Sequence, residues 1–352
     1  MPPRPSAPSR PVAVSLLVIA LVVGGVAAAF AYTAGWLSPE RLTPDRIVDA
    51  FSPPGKEPLG HRRNHAKGIC FTGVFEANGE GAALSKARVF AKGQYPVLGR
   101  FNFGTTDPAA SDVTARVKGL AISITTPDGQ EWRSGMIQLP VFPVSTVQGF
   151  YDLLVASGSK DPGAMPAFVA KHPEIAPVGE WMKTAPWTAS YADVRYNGLN
   201  AFLFTDSSGA DHAVRWSMLP AQQPTDVPAD DLAKRDPNFL EQDLQERVAA
   251  GPLHWTMSVM VANPGDPTAD PSKAWPDDRK TIDVGTLTVQ NVQAEANGPC
   301  RDINYDPTVL PGGIRTSDDP FPAARSSAYA VSYDRRTAEA GDYPRTTTGA
   351  TP

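Results

Sequence analysis

The stretch HRRNHAKGICFTGVF, residues 61–75, joins a group of cations to a segment that alternates as a β-strand does. Arg62, Arg63 and Lys67 surround a histidine, His65, immediately before the alternating part. Alternation with a period of two is typical of a strand with one buried face. The cationic group is therefore either a solvated turn that contains a histidine or the edge of a binding site for something large, flat and anionic.

The composition excludes some classes of protein. The chain has 352 residues, 41% of them hydrophobic, which suits a globular core. Its net charge of −5 argues against general nucleic-acid binding, which usually shows a basic domain. The two cysteines, Cys70 and Cys300, form either one bridge or two separate thiols.

The N-terminal region predicts passage into or across a membrane. Arg4 and Arg10 precede a charge-free run over residues 11–39, which is long enough to span a bilayer. We favour a retained signal anchor over residues 12–36, after a cytoplasmic segment of residues 1–11. An Ala-Phe-Ala sequence inside the run leaves a cleaved signal as the alternative. A buried core helix is disfavoured because the run is terminal and has no polar face.

Five further segments show the alternation of strands, and they are residues 95–104, 119–132, 198–219, 253–263 and 281–289. The clearest helix covers residues 238–250, with Asp236 as its N-cap and Gly251 at its C-terminal end. Shorter helices are predicted at residues 149–158 and 163–172.

These elements predict an α+β fold with an antiparallel β-barrel core and surrounding helices. A closed barrel is favoured because it leaves no edge strand unpaired. Residues 37–54 are predicted to be a linker with a short helix and residues 55–337 a single domain. Residues 338–352 are polar and are predicted to be a disordered tail.

The sequence lacks the common short catalytic motifs. It has no HExxH or CxxC zinc pattern, no GxSxG elbow and no glycine-rich phosphate loop. Near the C-terminus, Arg325 precedes Tyr329 by four residues, so both lie on one face of a helix. A fixed cation and a metal ion on the phenol oxygen would both favour the phenolate. The alternative is an ordinary surface pair of a cation and a tyrosine.

Both ends of the chain together resemble the haem catalases. The motif R-x-x-H-A-K-G at residues 62–68 is similar to the family's segment around its distal histidine. The sequence NYDPTVLPGGI, followed by S-D-D-P, R-x-x-x-Y and RR over residues 304–336, resembles the segment of its iron ligand. Intervening segments match in the family's order, and they are residues 99–104, 115–129, 235–261 and 270–289.

The resemblance implies roles for individual residues around haem b. His65 would be the distal histidine and Tyr329 the iron ligand, with Arg325 holding the tyrosine as a phenolate. Arg62 matches the family's propionate-binding arginine. That reading explains the cations around His65, because haem is flat and anionic at its propionate edge.

Other positions are implied less directly. Arg336 corresponds to a second propionate contact, and Phe150 to a ring against the porphyrin, with an ordinary core aromatic as the alternative. Gln138 occupies the place of the distal asparagine, so we expect it to contact the peroxide. Asn102 stands where the family has a distal serine, and Asn64 where it has a small apolar residue.

The resemblance implies a haem-dependent peroxidase. The chain is similar to the small-subunit catalase-related peroxidases, so we expect it to reduce hydrogen peroxide or organic hydroperoxides with an organic electron donor through a ferryl intermediate. The alternatives are a true catalase, a membrane-tethered haem-binding protein without turnover, and a haem-free barrel that binds another ligand. We expect the domain on the extracytoplasmic side, held by the N-terminal helix or released by cleavage, while the oligomeric state stays open.

Overall fold

The structure of the protein is a computed structural model that describes residues 10–38, 40–52 and 55–345. The chain divides into two compact units, Met1–Ile47 and Val48–Pro352. In the first unit, α1 (Arg10–Thr33) contains one segment, Val12–Thr33, that is long and apolar enough to cross a membrane, with a mean hydropathy of 2.7. A signal sequence has the same properties, so both readings of the N-terminus stand.

The second unit is built on a closed barrel of eight antiparallel strands, each paired with the next along the chain. β1 pairs with β8, and Ile137 of β4 pairs with Asn197 of β5. A short ninth strand pairs with β5. The strands are β1 (Gly68–Ala77), β2 (Gly93–Phe103), β3 (Lys118–Thr125), β4 (Glu131–Ile137), β5 (Tyr196–Thr205), β6 (Asp211–Pro220), β7 (Leu253–Val261), β8 (Thr281–Ala294) and β9 (Ile314–Thr316).

Helices cover the barrel, as predicted. They are α3 (Val147–Gly158), α4 (Ala164–Lys171), α5 (Ala176–Thr184), α6 (Ala229–Leu232), α7 (Phe239–Ala250) and α8 (Phe321–Ala338). The chain before β1 also contains a short helix, α2 (Pro44–Asp49). Leu240 and Leu244 of α7 are buried, and the amide of Gly251 donates to Arg247 O at its end. The N-cap of α7 is Asn238 rather than the predicted Asp236, whose carboxylate accepts from the Asn238 amide in the turn before the helix.

The inward side chains of the strands form the core. Phe101 and Ile122 are completely buried, and the Phe101 ring lies 4.9 Å from that of Phe71. Burying one such side chain contributes about 1.5–3 kcal/mol. Gly99 lies across from Phe71, and a Cβ at that position would overlap the phenylalanine ring. The alternating pattern predicted this face correctly.

The outer face of β1–β4 is different. One row of consecutive partners crosses these strands, and it consists of Cys70, Arg100, Ala121 and Gly135. α8 contacts this face at Gly135, whose carbonyl accepts from Arg325 Nη2 at 3.4 Å. A Cβ at Gly135 would lie 3.0 Å from the same nitrogen, so glycine leaves room for the guanidinium.

Four of the strands and α-helices that the structure describes were not predicted from the sequence, and they are β4, β9, α5 and α6. In β4 the inward positions include Ser134, whose hydroxyl accepts from Trp216 Nε1 at 3.0 Å, and this buried polar residue interrupts the apolar pattern. The C-terminal segment also differs from the prediction. α8 ends at Ala338, and the segment after it packs against the domain, with the Tyr343 ring stacked 3.8 Å from that of His61. Residues 346–352 lie outside the described residues.

Candidate functional site

His65 lies in the loop that leads into β1 and has an unusual backbone conformation. Its φ of 54° is the single positive value among the described non-glycine residues. Such a conformation costs about 1–3 kcal/mol and persists only where the surroundings fix it. The side chain of Asn64 accepts from the His65 amide at 2.8 Å, and Arg100 Nη2 donates to the His65 carbonyl at 2.8 Å. Asn64 therefore helps to fix the histidine backbone.

The surroundings of the His65 ring keep it neutral at pH 7. Burial lowers its pKa to about 4, and the positive charges of Arg100 and Arg325 act in the same direction. The amide of Asn102 and the backbone of Phe103 oppose this change without overcoming it. Within the described part of the chain, Nδ1 is buried and has no hydrogen-bond partner of standard geometry. A neutral imidazole held in this way is able to accept a proton.

Arg325 and Tyr329 are in contact on α8, as their spacing predicted. Arg325 donates to the phenol oxygen from Nη2 at 3.1 Å and from Nε at 3.4 Å. Its Nη1 donates to Asn200 Oδ1 at 2.8 Å, and Asn200 in turn donates to Asp319 Oδ2 at 2.9 Å. Asp319 also accepts from the amide of Phe321 at the start of α8. The buried polar side chains of Asn200 and Asp319 therefore fix the position of the Arg325 guanidinium.

The loop that carries His65 is joined to α8. The amide of Arg63 donates to Ser332 Oγ at 3.2 Å, one turn after Tyr329. The Arg63 side chain also forms an ion pair with Glu339 just beyond the helix. These contacts place the histidine loop and the tyrosine helix as two walls of one site, next to the outer face of β1–β4.

Three arginines gather around one buried carboxylate at this site. Arg100 donates to Glu295 from Nε at 2.7 Å and from Nη2 at 2.6 Å. Arg62 forms an ion pair with the same carboxylate and donates to Ile303 O at 2.9 Å. Arg336 donates to the same carbonyl at 3.1 Å. The family resemblance implied that Arg62 and Arg336 each contact a propionate. Their side chains meet at this carbonyl, and contact with a propionate stays a prediction.

The arginine group has more positive than negative charge. Three guanidinium groups face one carboxylate, an excess of two positive charges. Burial lowers the pKa of Arg62 to about 9, and the charge of Arg100 adds to this effect. Burial opposes ionisation of Glu295, yet Arg100 and Arg62 hold its pKa below the usual value. Uncompensated buried charge is unfavourable, so the group suits a ligand with two carboxylates.

Sequence reasoning missed Arg100 and Glu295. Arg100 stands inside β2 between apolar residues, and a buried arginine in a strand is itself a signal of a charged ligand or partner. Glu295 gave no signal, because it follows Arg62 by 233 positions and only the fold brings them together.

Gln138 lies at the end of β4, at the same end of the sheet as His65. Its Oε1 accepts from the Lys118 amide at 3.3 Å. Its side chain also lines a cavity of about 610 Å³ beside β5 and β6, together with Trp216 and Trp275. The described contacts of Gln138 do not include His65, and its approach to a peroxide stays a prediction.

Phe150 belongs to an aromatic cluster in the structure. Its ring lies 5.4 Å from that of Phe142, which lies 4.6 Å from Phe321 at the start of α8. This packing is the one expected of a core aromatic, and contact with a porphyrin stays a prediction.

The model of the catalase family matches residues 32–341. The chain belongs to the catalase family. Among its relatives, a catalase-related peroxidase of Synechococcus elongatus is 33% identical over 93% of this chain and 96% of its own length. One of Mycolicibacterium paratuberculosis is 32% identical over 84% of this chain and 95% of its own length.

More distant catalases share the fold. The catalase of Rattus norvegicus is 24% identical over 86% of this chain and 61% of its own length. A solved fungal catalase superposes with a TM-score of 0.71 at 18% identity, over 82% of this chain and 62% of that one. The antiparallel barrel predicted from the strand pattern is therefore confirmed, and it is the catalase fold.

The residues of this catalase-family chain fit a haem. The described residues contain no group of three or more His, Cys, Asp or Glu side chains able to hold a metal ion. A haem needs only one ligand from the protein, because the porphyrin supplies four nitrogens, and a tyrosine oxygen is able to be that ligand. The excess positive charge of the arginine group suits the two carboxylates of a haem, and the Tyr329 oxygen beside Arg325 is an oxygen ligand available for its iron.

Proposed function

We propose that the protein is a haem-dependent peroxidase that binds haem b through Tyr329. The observation that carries the proposal is the contact of Arg325 with the Tyr329 oxygen, on a helix joined to the loop that holds a half-buried histidine with a lowered pKa. Two catalase-related peroxidases that match almost their whole length to this chain support it.

When bound, haem would supply the redox chemistry of peroxide reduction. An anionic tyrosine ligand on its iron would favour that chemistry. The two hydrogen bonds from Arg325 stabilise the phenolate form of Tyr329, and Asn200 keeps the guanidinium in place. Arg62, Arg100 and Arg336 bind the two carboxylates of the cofactor.

His65 moves the proton. Because Nδ1 is enclosed, Nε2 is the nitrogen that faces the substrate. It accepts the proton of the bound hydroperoxide and returns it to the departing oxygen, so that the oxygen leaves as water or an alcohol. The low pKa of His65 keeps this nitrogen free of a proton at neutral pH.

Hydrogen peroxide or an organic hydroperoxide is the oxidant, and an organic donor returns the electrons. The N-terminal helix anchors the domain to a membrane or directs its export, and the domain works on the extracytoplasmic side. The disulfide between Cys70 and Cys300 supports that location, because disulfides persist in oxidising compartments.

The test is spectroscopic and then kinetic. The full chain in detergent, loaded with haem, is compared with Tyr329→Phe and with the matched control Tyr333→Phe on the same helix. We expect the ferric tyrosinate spectrum to disappear only in Tyr329→Phe. Adding peroxide with and without an organic donor then separates the functions.

Donor oxidation that is faster than oxygen release supports the peroxidase. Oxygen release that is far faster than donor oxidation would identify a true catalase. Haem bound through Tyr329 but inert to peroxide would identify a haem-binding protein. An unchanged spectrum in Tyr329→Phe would remove the ligand assignment.

A further inference from the structure

A single loop braces the three arginines of the site. It comprises residues 295–303, between β8 and the segment that leads to α8, and we call it the bracing loop. It supplies the Glu295 carboxylate to Arg62 and Arg100. Its backbone carbonyls accept from Arg62 at Cys300 and Ile303, and from Arg336 at Arg301 and Ile303.

The bracing loop has no regular secondary structure to hold it in place. Its covalent tie is the disulfide from Cys300 to Cys70 of β1, 230 positions earlier. The Cys300 amide also donates to Cys70 Sγ at 3.2 Å. A Cβ at Gly298 would overlap that sulfur, so glycine permits the close approach.

The disulfide lies beside the arginines that the loop braces. Cys70 is the direct partner of Arg100 across β1 and β2. Both cysteines are fully buried and pack with Ala121 and Tyr305 on the outer face of the barrel. The bond therefore fixes the bracing loop to the same row of the barrel that carries Arg100.

We infer that the Cys70–Cys300 disulfide is a positioning element for recognition of the cofactor's carboxylates, an inference that rests on the proposed haem function. It holds the loop carbonyls and Glu295 where they fix Arg62, Arg100 and Arg336. Opening the bond removes the loop's covalent tie to β1, so the partners that orient the arginines are fixed less firmly. Preorganised groups bind more tightly because less order is imposed at binding.

The experiment measures how fast haem leaves the protein. The full chain and the variant Cys70→Ala/Cys300→Ala are loaded with haem and mixed with excess apomyoglobin as scavenger. A parallel pair is loaded with haem dimethyl ester, in which both carboxylates are neutral. We expect the variant to release haem roughly tenfold faster than the wild type. Release of the ester is expected to be the same from both proteins.

The ester separates positioning from general loosening of the fold. Equal acceleration for haem and ester would show a structural role only, and no acceleration for either would show no role. Both outcomes overturn the inference. Arg62→Gln is the reference for lost carboxylate recognition, and it should likewise release haem faster while leaving ester release unchanged.

Two further measurements keep the result interpretable. If the double alanine variant does not fold, Cys70→Val/Cys300→Ala restores part of the lost volume and takes its place. The visible spectrum of each loaded protein reports whether Tyr329 still binds the iron. A wild type that fails to bind haem through Tyr329 contradicts the proposed function, whereas normal binding with unchanged release contradicts only the role of the disulfide.

Discussion

The two faces of β2 are both buried, but for different reasons. Phe101 and Phe103 point into the barrel and are at most 1% exposed. Arg100 and Asn102 point outward and are 2% and 6% exposed. The inner face is buried because apolar side chains leave water. The outer face carries the charge of Arg100, which is costly to bury. Glu295, the bracing loop and the proposed cofactor offset that cost.

The comparison separates stability from function within one strand. Changes to the inner face should lower the free energy of unfolding with or without haem. Changes to the outer face and its surroundings should alter haem binding and turnover first.

The largest expected effect is on turnover, from His65→Gln. Loss of the proton-transferring imidazole should lower kcat/KM for peroxide by about 10²–10⁴-fold, because general acid–base catalysis contributes about that much. Haem content should stay the same, since Tyr329 and the arginines are intact. The control is His61→Gln in the same loop, whose ring stacks on Tyr343. Full activity of His65→Gln would exclude the proposed proton transfer.

The pH dependence sharpens the same prediction. The pKa of His65 is lowered to about 4, mainly by burial, so its neutral form persists down to that pH. We therefore expect log kcat/KM to fall as the pH drops through about 4, rather than through the ordinary histidine value near ~6.5. A profile with its acid limb near 6.5 would show that the ring is solvated in the working protein.

The next effect is on stability, from Phe101→Ala in the inner face. Removing a fully buried phenylalanine typically costs about 3–5 kcal/mol in the free energy of unfolding. Denaturant titration of the haem-free protein measures it, with Thr72→Ala, an exposed position of β1, as the control. If Phe101→Ala changed only haem binding, the division between the two faces would fail.

The sequence predicted the residues of the inner face better than those of the outer face. Periodicity predicted the inner side chains of β2 and β3, because burial repeats every second residue. The outer face has no such period. Helical spacing paired Arg325 with Tyr329, and the family resemblance assigned their roles and that of Arg62. Arg100 was missed although a charged residue between apolar strand positions is a signal, and Glu295 was missed because only folding brings it to Arg100, 195 positions earlier.

A smaller effect is expected from the acid titration of Glu295. Arg100 and Arg62 hold its pKa below the usual value of 4.5, although burial opposes them. A carboxylate with a lowered pKa stabilises the folded protein above its unfolded pKa, and this stabilisation is lost as the pH falls through the folded value. We expect Glu295→Gln to lower stability at pH 7 and to flatten the loss of stability below about pH 4.5.

Unfolding by denaturant at pH 7 and at pH 4 measures this effect. The matched control is Asp302→Asn, an exposed carboxylate of the bracing loop. An acid limb that is unchanged by Glu295→Gln would show that the ion pairs of the arginine group do not contribute to stability.

The smallest expected effect comes from Asn200→Ala, which removes the side chain that bonds to Arg325. Asn200 is 4% exposed and joins Arg325 to Asp319, so its loss leaves the guanidinium with one fewer buried partner. We expect a shift of the tyrosinate absorption band and a loss of about tenfold in turnover, the effect typical of groups that orient a metal ligand. Asn197→Ala in the same strand, which bonds to Leu139 O instead, should change neither. A loss of turnover without a spectral shift would mean that Asn200 does not act through Arg325. The outer face of the barrel would then hold a second functional contact.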